Sequence, residues 1–489
     1  MSEKETHIAS KNPEGAVKLQ RELGLFSAVF MQIGVMIGAG IFVSPSQALK
    51  YSGSVALCII IWIVSGFICL LGAFAYAELA CVVGKSGAEY EYLYEAFAHM
   101  HKYWGPLSAF LISWIHVMCL RPAEVGCMCR VFSEYLLQPF IEDLESQHRE
   151  FAIVLMALCA LFLMTYINIR SVKLFLKVQN IFGAFKLVAC GMIIAGGIYE
   201  LASGNTENIA TGFEGSNWSP GAISLAMYEG LYAYDGWNHA AAVTEELINP
   251  GVNLPLSIAI AVPVVTAVNV FMNVAYMTVL SFEEMTTKTV VAISFANTAL
   301  PRISFLMPFG VCMSAFSCAM SVQFGVVRMC YSAARHGHMV ESFAFIHFKR
   351  LTPAPAVVFQ GLITTIYILV GDIKTLIEFV SWYLWFFYGL AMVALLVLRR
   401  TQKTKHRPFK IPIIVPYLVL LTGIFLSVLP VLHDPSLKYM AAIGCLILGA
   451  IVYTIFVYYK KTPDKLLRNF TFLVQVLFQS VPPTSDGRE

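Results

Sequence analysis

Apolar runs of about 20 residues, each long enough to cross a lipid bilayer, recur along this chain from residue 24 to residue 458. In hydrocarbon every backbone group must be bonded internally, which makes such runs helices. The composition agrees, with 13% of residues charged against about 25% in a soluble domain. The chain is therefore read as an all-α polytopic membrane protein. Its first 23 residues are polar and mixed in charge, unlike a cleaved leader, so the first apolar run is expected to stay as a membrane helix. The net charge of +3 says little by itself, and no nucleic-acid partner is expected.

Twelve spans can be read, at 24–48, 53–79, 104–137, 151–169, 178–200, 220–246, 253–281, 303–333, 355–371, 374–398, 412–432 and 437–458. Residues 80–103 are too mixed to span and read as interfacial. Residues 282–301 read as a surface helix. The tail at 464–481 alternates Leu, Phe and Val with polar residues, as an interfacial helix does. Lys and Arg concentrate in alternate loops: 1–23, 170–177, 335–350, 399–410 and the tail, whereas 201–219 has none. The positive-inside rule then places both termini in the cytoplasm. Asn217-Trp218-Ser219 is a glycosylation sequon in an expected outside loop, with Pro220 directly behind it.

Two spans are interrupted. The first carries Gly38-Ala39-Gly40, followed by Ser44-Pro45. The sixth carries Gly230 and Gly236 within Tyr228-Glu229-Gly230-Leu231-Tyr232-Ala233-Tyr234-Asp235-Gly236-Trp237-Asn238. Glycine weakens a helix, and unwound backbone at membrane depth needs a partner. Gly-interrupted segments at matching places in two halves point to a transporter binding site. Breaks in spans one and six start each half of a 5+5 inverted repeat, the LeuT-like layout of sodium-symporter-like transporters. The expected domains are a cytoplasmic N-terminal segment at 1–23, a twelve-helix transporter domain at 24–458 and a cytoplasmic amphipathic tail at 459–489.

Charges inside these spans are costly and mark function or internal pairing. Asp235 has two readings, a contact for a cationic substrate side chain or an ion pair with Arg121. Glu229 has three: pairing with Arg121, binding a proton, or facing water. Arg121 and Glu124, three apart on span three, are expected to pair on one helix face. His116 reads as a satisfied core histidine. Lys186 could stand where a sodium ion would bind, or snorkel to the interface. The twelve cysteines lie in or beside apolar spans, without metal-site spacing. They read as small hydrophobes, so no metal and no cofactor is expected.

At these residues the chain resembles the light chains of heteromeric amino-acid transporters, within the amino acid–polyamine–organocation superfamily. The resemblance runs from about Leu23 to Pro483. It rests on IGAGIFVSP at 37–45, KSGAEYEYL at 85–93, LRPA at 120–123, YDGWN at 234–238, TEELINPGVNLPLSI at 244–258, RLTPAPAV at 350–357 and VPP at 481–483. YDGWN is similar to the b(0,+) branch, which exchanges cationic amino acids and cystine for neutral ones. The resemblance implies a sodium-independent antiporter of the plasma membrane with alternating access. Its substrates would be neutral amino acids, including large and aromatic ones, and cationic amino acids or cystine. By carry-over, Ala39, Gly40 and Ile41 would hold the substrate carboxylate. Tyr232, Ala233 and Tyr234 would hold the amino group, with Tyr232 also the gate. Asp235 would bias side-chain selection, and Lys186 would replace the sodium ion.

Two departures stand out. Light chains of this kind usually have a cysteine between spans three and four, bonded to a single-span glycoprotein heavy chain. Residues 138–150 have none, so a heavy chain is not expected to be disulfide-linked there. Glu229 stands where the family usually has a small or neutral residue. No cluster or nucleophile motif suggests an enzyme. A proton-coupled symporter, or a transport-silent sensor or channel-like member, stays open beside the exchanger.

Overall fold

The computed structural model describes residues 23–84, 88–141, 145–242, 244, 247–287, 290–335, 337–347, 350, 352–461 and 464–481. The N-terminal segment except Leu23, and parts of the 85–93, 138–150, 244–258, 350–357 and 481–483 segments, lie outside the described residues. Twenty α-helices make up most of the rest. They are α1 Leu25–Met36, α2 Gly40–Ser52, α3 Val55–Val83, α4 Glu89–Phe97, α5 Trp104–Ile115, α6 Arg121–Ile141, α7 Ser146–Arg170, α8 Val172–Ala202, α9 Glu207–Ala210 and α10 Pro220–Ala233. They continue as α11 His239–Ala242, α12 Pro250–Val279, α13 Phe282–Thr287, α14 Val291–Ala299, α15 Leu306–Arg335, α16 Ala354–Val370, α17 Ile373–Thr401, α18 Ile414–His433, α19 Leu437–Val452 and α20 Asp464–Phe478.

Nine helices among the described residues are long and apolar enough to cross a membrane, or ten when α1 and α2 count as one span bent by 52°. The two expected spans outside this set are span nine, where α16 has 17 residues, and span six, which is divided into α10 and α11. Span three is a single 37-residue run, Trp104–Phe140. There α5 and α6 join through a π-turn at His116–Leu120. The flanks of the bundle expose Phe26, Phe162, Leu362 and Leu421, as lipid-facing helices do.

Local chemistry explains the ends. Ser54 Oγ caps α3 at Leu57 N, and Ser219 Oγ caps α10 at Ala222 N, with Pro220 at the first helical position where its missing N–H is harmless. Gly53 ends α2 at φ +76°, a left-handed cap that glycine adopts without strain.

Two expectations need correction. Residues 282–301 are not one surface helix but two short ones, and α14 buries Val291 to Ala296. That stretch is apolar on enough faces to pack against α8, α12 and α15. The second break does not begin at Gly230, because α10 continues to Ala233. Gly230 instead admits α3, since a Cβ there would sit 2.8 Å from Ser65 Oγ. The one ladder among the described residues is short: Ile346–His347 pairs antiparallel with Ser480–Val481, tying the tail to the segment after α15. The tail helix α20 exposes Phe472, Leu473, Val476 and Leu477 and sets Phe470 edge-on to Phe343, 6.2 Å away.

Candidate functional site

The first break frees backbone groups in a definite pattern. In an intact helix the Gly38 amide would bond the Gly34 carbonyl. Here it turns to Met36 O, 3.0 Å away. The stranded Gly34 carbonyl accepts instead from Lys186 Nζ on α8. Lys186 is buried rather than snorkelled to an interface. The amides of Ala39, Gly40 and Ile41 have no backbone acceptor among the described residues, as the first N–H groups of a helix must. They carry the positive end of α2. Pro45 lacks an N–H and so leaves the Ile41 carbonyl without its helical donor.

The second break runs from Tyr234 to Asn238. Gly236 adopts φ +98°, a conformation glycine reaches readily. A Cβ there would lie 2.6 Å from Val35 Cγ1, so the turn packs directly on α1. Gln32 Nε2 holds the turn by donating to Trp237 O at 2.8 Å. The carbonyls of Ala233 and Tyr234 receive no backbone N–H among the described residues. The two breaks meet: a Cβ on Gly40 would lie 2.8 Å from Ala233 Cα. Amides of one helix and carbonyls of the other, without backbone partners among the described residues, therefore lie at one small contact set by glycine, with Cys318 against the Ala39 amide.

Around it, Tyr232 is buried and its hydroxyl points at Cys127 Sγ, 3.7 Å away, and Met128 Sδ, 4.0 Å away. Tyr234 donates to Trp62 O at 3.1 Å. Asp235 Oδ1 accepts from Tyr388 Oη at 2.8 Å, while Oδ2 lies 3.6 Å from Arg121 Nη1. The same guanidinium nitrogen is 2.6 Å from Glu124 Oε2. Tyr76, Trp237 and Tyr388 close this side, with centroids 4.7 to 5.8 Å apart. Nearby Glu89, on α4, accepts from Asn238 Nδ2 at 2.6 Å, and burial pushes its carboxyl above the ordinary range.

The structure thus brings Ala39, Gly40, Ile41, Ala233, Tyr234 and Asp235 together, with Tyr232 and Lys186 at the margins and Arg121–Glu124 behind Asp235. Glu229 does not join that polar network. It lies on the α10 face turned toward α2, and neither carboxyl oxygen has a hydrogen-bond partner among the described residues. His116 Nδ1 meets Ile112 O at 2.9 Å. Arg130 bonds Ile368 O and Glu150 rather than the breaks.

Two participants escaped the sequence reading. Tyr388 lies in an aromatic run of span ten that carries no polar signal. Glu78, at the far end of α3, did carry one, as a lone acid in an apolar run. It is fully buried and accepts from Arg399 Nε at 2.9 Å, Arg399 Nη2 at 2.5 Å, Arg407 Nη1 at 3.1 Å and Ile411 N at 2.9 Å.

Two interrupted helices touching at their broken ends, inside a bundle of apolar spans, define a multi-pass membrane transporter. The amino acid permease profile matches residues 23–458. The chain is 40% identical to the human b(0,+)-type amino acid transporter 1 over 485 residues, 99% of this chain and 98% of the relative. It is 35% identical to the human cystine/glutamate transporter, covering 96% and 94%. It is 36% identical to the human large neutral amino acids transporter small subunit 2, covering 96% and 86%. The chain belongs to the amino acid permease family.

Proposed function

We propose that this protein is a sodium-independent amino-acid exchanger of the plasma membrane, with both termini cytoplasmic, working by alternating access. The observation that carries this reading is the close approach of the Ala39–Ile41 amides to the Ala233 and Tyr234 carbonyls, none of which has a backbone partner among the described residues. An α-amino acid carries a carboxylate and an ammonium on one carbon, and this pair of backbone faces offers one partner to each. The Lys186 ammonium on the Gly34 carbonyl supports sodium independence, since it supplies a positive charge where a coupling ion would otherwise neutralise stranded carbonyls. Tyr232 is the gate, and Asp235 selects the side chain.

Asp235 already holds Tyr388 and lies near Arg121. A cationic side chain must therefore displace or share those partners, which favours neutral substrates unless the pair rearranges. The relatives' names span large neutral amino acids, cystine and glutamate. A single-span glycoprotein heavy chain is the proposed partner, held without a disulfide from residues 138–150. One relative is itself named as a small subunit.

The test is uptake of labelled arginine and leucine into proteoliposomes, with and without internal amino acid and with and without sodium. Trans-stimulated uptake indifferent to sodium is expected. Accumulation driven by a proton gradient without internal amino acid would sink exchange in favour of proton symport. Loss of arginine uptake alone in Asp235→Gly would support side-chain selection. Unchanged arginine uptake would assign Asp235 to its internal pair.

A further inference from the structure

Glu229 has no role in the site just described, yet it sits one helical turn from it. The α2 and α10 helices touch at Gly40 and Ala233. At the other end of α2, Ser52 O accepts from Asn217 N at 2.8 Å, just before α10 begins. The two helices therefore run antiparallel along one closed seam. Ser44 is one turn up α2 from Gly40, and Glu229 is one turn up α10 from Ala233, so the two residues face each other. The Glu229 side chain is fully buried. Ser44 lies close to the carboxyl, yet among the described residues neither Glu229 oxygen nor the Ser44 and Ser65 hydroxyls has a hydrogen-bond partner in good geometry.

The charges around this carboxyl are already engaged. From α17, Glu378 and Lys374 are within electrostatic reach. Glu378 accepts from Tyr51 Oη of α2 at 2.7 Å, pairs with Lys438 of α19, and has Lys374 Nζ 3.9 Å away. From α18 the titratable side chain is His433, packed on Gly221 two turns from Glu229. The α3 helix brings Ser65, and α6 brings the Cys127 thiol within electrostatic reach. No ion pair to Glu229 occurs among the described residues. An ionised carboxylate in such surroundings would bear the full penalty of a lone buried charge, which proteins avoid by neutralising the group.

We propose that Glu229 is a proton-binding site that gates the α2–α10 seam. With the seam closed the side chain is the neutral acid. When α2 and α10 part, water reaches the carboxyl and its proton passes to bulk water on that face. Acid on the same face, outward in the proposed orientation, therefore favours the closed seam and weakens capture of external substrate. This consequence rests on the exchanger reading, but the proton site does not.

Two measurements separate them. Infrared spectra of the purified chain in lipid, with its heavy chain if one is needed, report protonated buried acids through their carbonyl stretch. One such band should disappear in Glu229→Gln and shift in Glu229→Asp. Exchange measured across external pH should show the apparent affinity of wild type falling with acid, by at most about tenfold per pH unit for one proton. Glu229→Gln should be flat, and Glu229→Asp should restore a slope. Identical carbonyl bands in wild type and Glu229→Gln would overturn the proton site, as would dependence of wild type on a monovalent cation that Glu229→Gln lacks. A band that behaves as expected with an unchanged pH profile would overturn the gating. The expected bands in a chain that exchanges nothing would leave the proton site standing and remove the exchanger reading. Should Glu229→Gln fail to fold, the shifted band and slope of Glu229→Asp decide alone.

Discussion

Glu78 and Glu229 are the same side chain, both fully buried, one at the far end of α3 and the other one turn from the two breaks, and their surroundings could hardly differ more. Glu78 gathers two guanidinium groups and a backbone amide, so every lone pair toward α17 and the 407–411 segment is used. Glu229 faces the Ser44 hydroxyl, but among the described residues neither of its oxygens is bonded in good geometry and no cation pairs with it. A carboxylate can be buried when each oxygen is bonded and a countercharge is present, and otherwise it carries a proton. Glu78 thus reads as a fixed latch where α3, α17 and the chain leading to α18 meet. Glu229 reads as a group whose charge changes when its seam opens. Asp235 falls between them, with a tyrosine on one oxygen and an arginine 3.6 Å from the other.

The largest expected effect comes from removing the saturated acid. Glu78→Ala leaves Arg399 and Arg407 buried and unpaired, and the stability loss should be about 3–5 kcal/mol. Thermal unfolding of the purified protein checks this. A loss as small as that of a surface substitution would break the comparison from the Glu78 side.

Next is Gly40→Val, which drives a branched side chain into the Ala233 backbone, where even a Cβ stands 2.8 Å away. Overpacking of this kind costs about 1–3 kcal/mol, and it should part the seam that buries Glu229. Exchange should fall below detection at wild-type surface abundance. If hydrogen exchange at 228–232 does not quicken, the seam is not held by this contact.

A smaller effect is expected at the intermediate acid. Tyr388→Phe removes the bond to Asp235, a hydrogen bond to a charged group worth about 1.5–3 kcal/mol. A double-mutant cycle with Asp235→Asn, read by thermal stability, should give a coupling near the lower figure. Zero coupling would mean that Asp235 is held by Arg121 instead.

The smallest effects belong to the orphaned acid. Glu229→Gln should change stability at acid pH by less than about 1 kcal/mol, because no bonded partner is lost. Ser44→Ala should stay within about 0.5 kcal/mol. A strong destabilisation by either, measured on the same thermal scale, would reveal a partner for Glu229 and end the contrast with Glu78.

Much of this architecture can be read from the chain alone, and particular residues explain why. Hydropathy over about 20 residues is a local property, so most spans, the long third run and the amphipathic tail are visible without coordinates. Gly38-Ala39-Gly40 and Gly236 announce the breaks because glycine acts on its own backbone. Gly230 misleads for the same reason: its role is to admit Ser65 from 165 positions away, which no local rule encodes. Arg121 and Glu124 can be paired from sequence because three residues bring side chains together on a helix.

What only the tertiary structure decided are the partnerships between distant positions. Lys186 meets the Gly34 carbonyl because a break strands that group beside α8. Tyr388 meets Asp235 across 153 positions, and Arg399 meets Glu78 across 321. Glu229, which the sequence left between an arginine, a proton and water, is turned by the α2–α10 seam away from Arg121. Composition and periodicity determine that these polar groups lie within a membrane protein and near two broken helices. Which of them find a countercharge depends on how the helices pack, because a hydrogen bond or ion pair forms only over a few ångströms and the chain brings those atoms together only when folded.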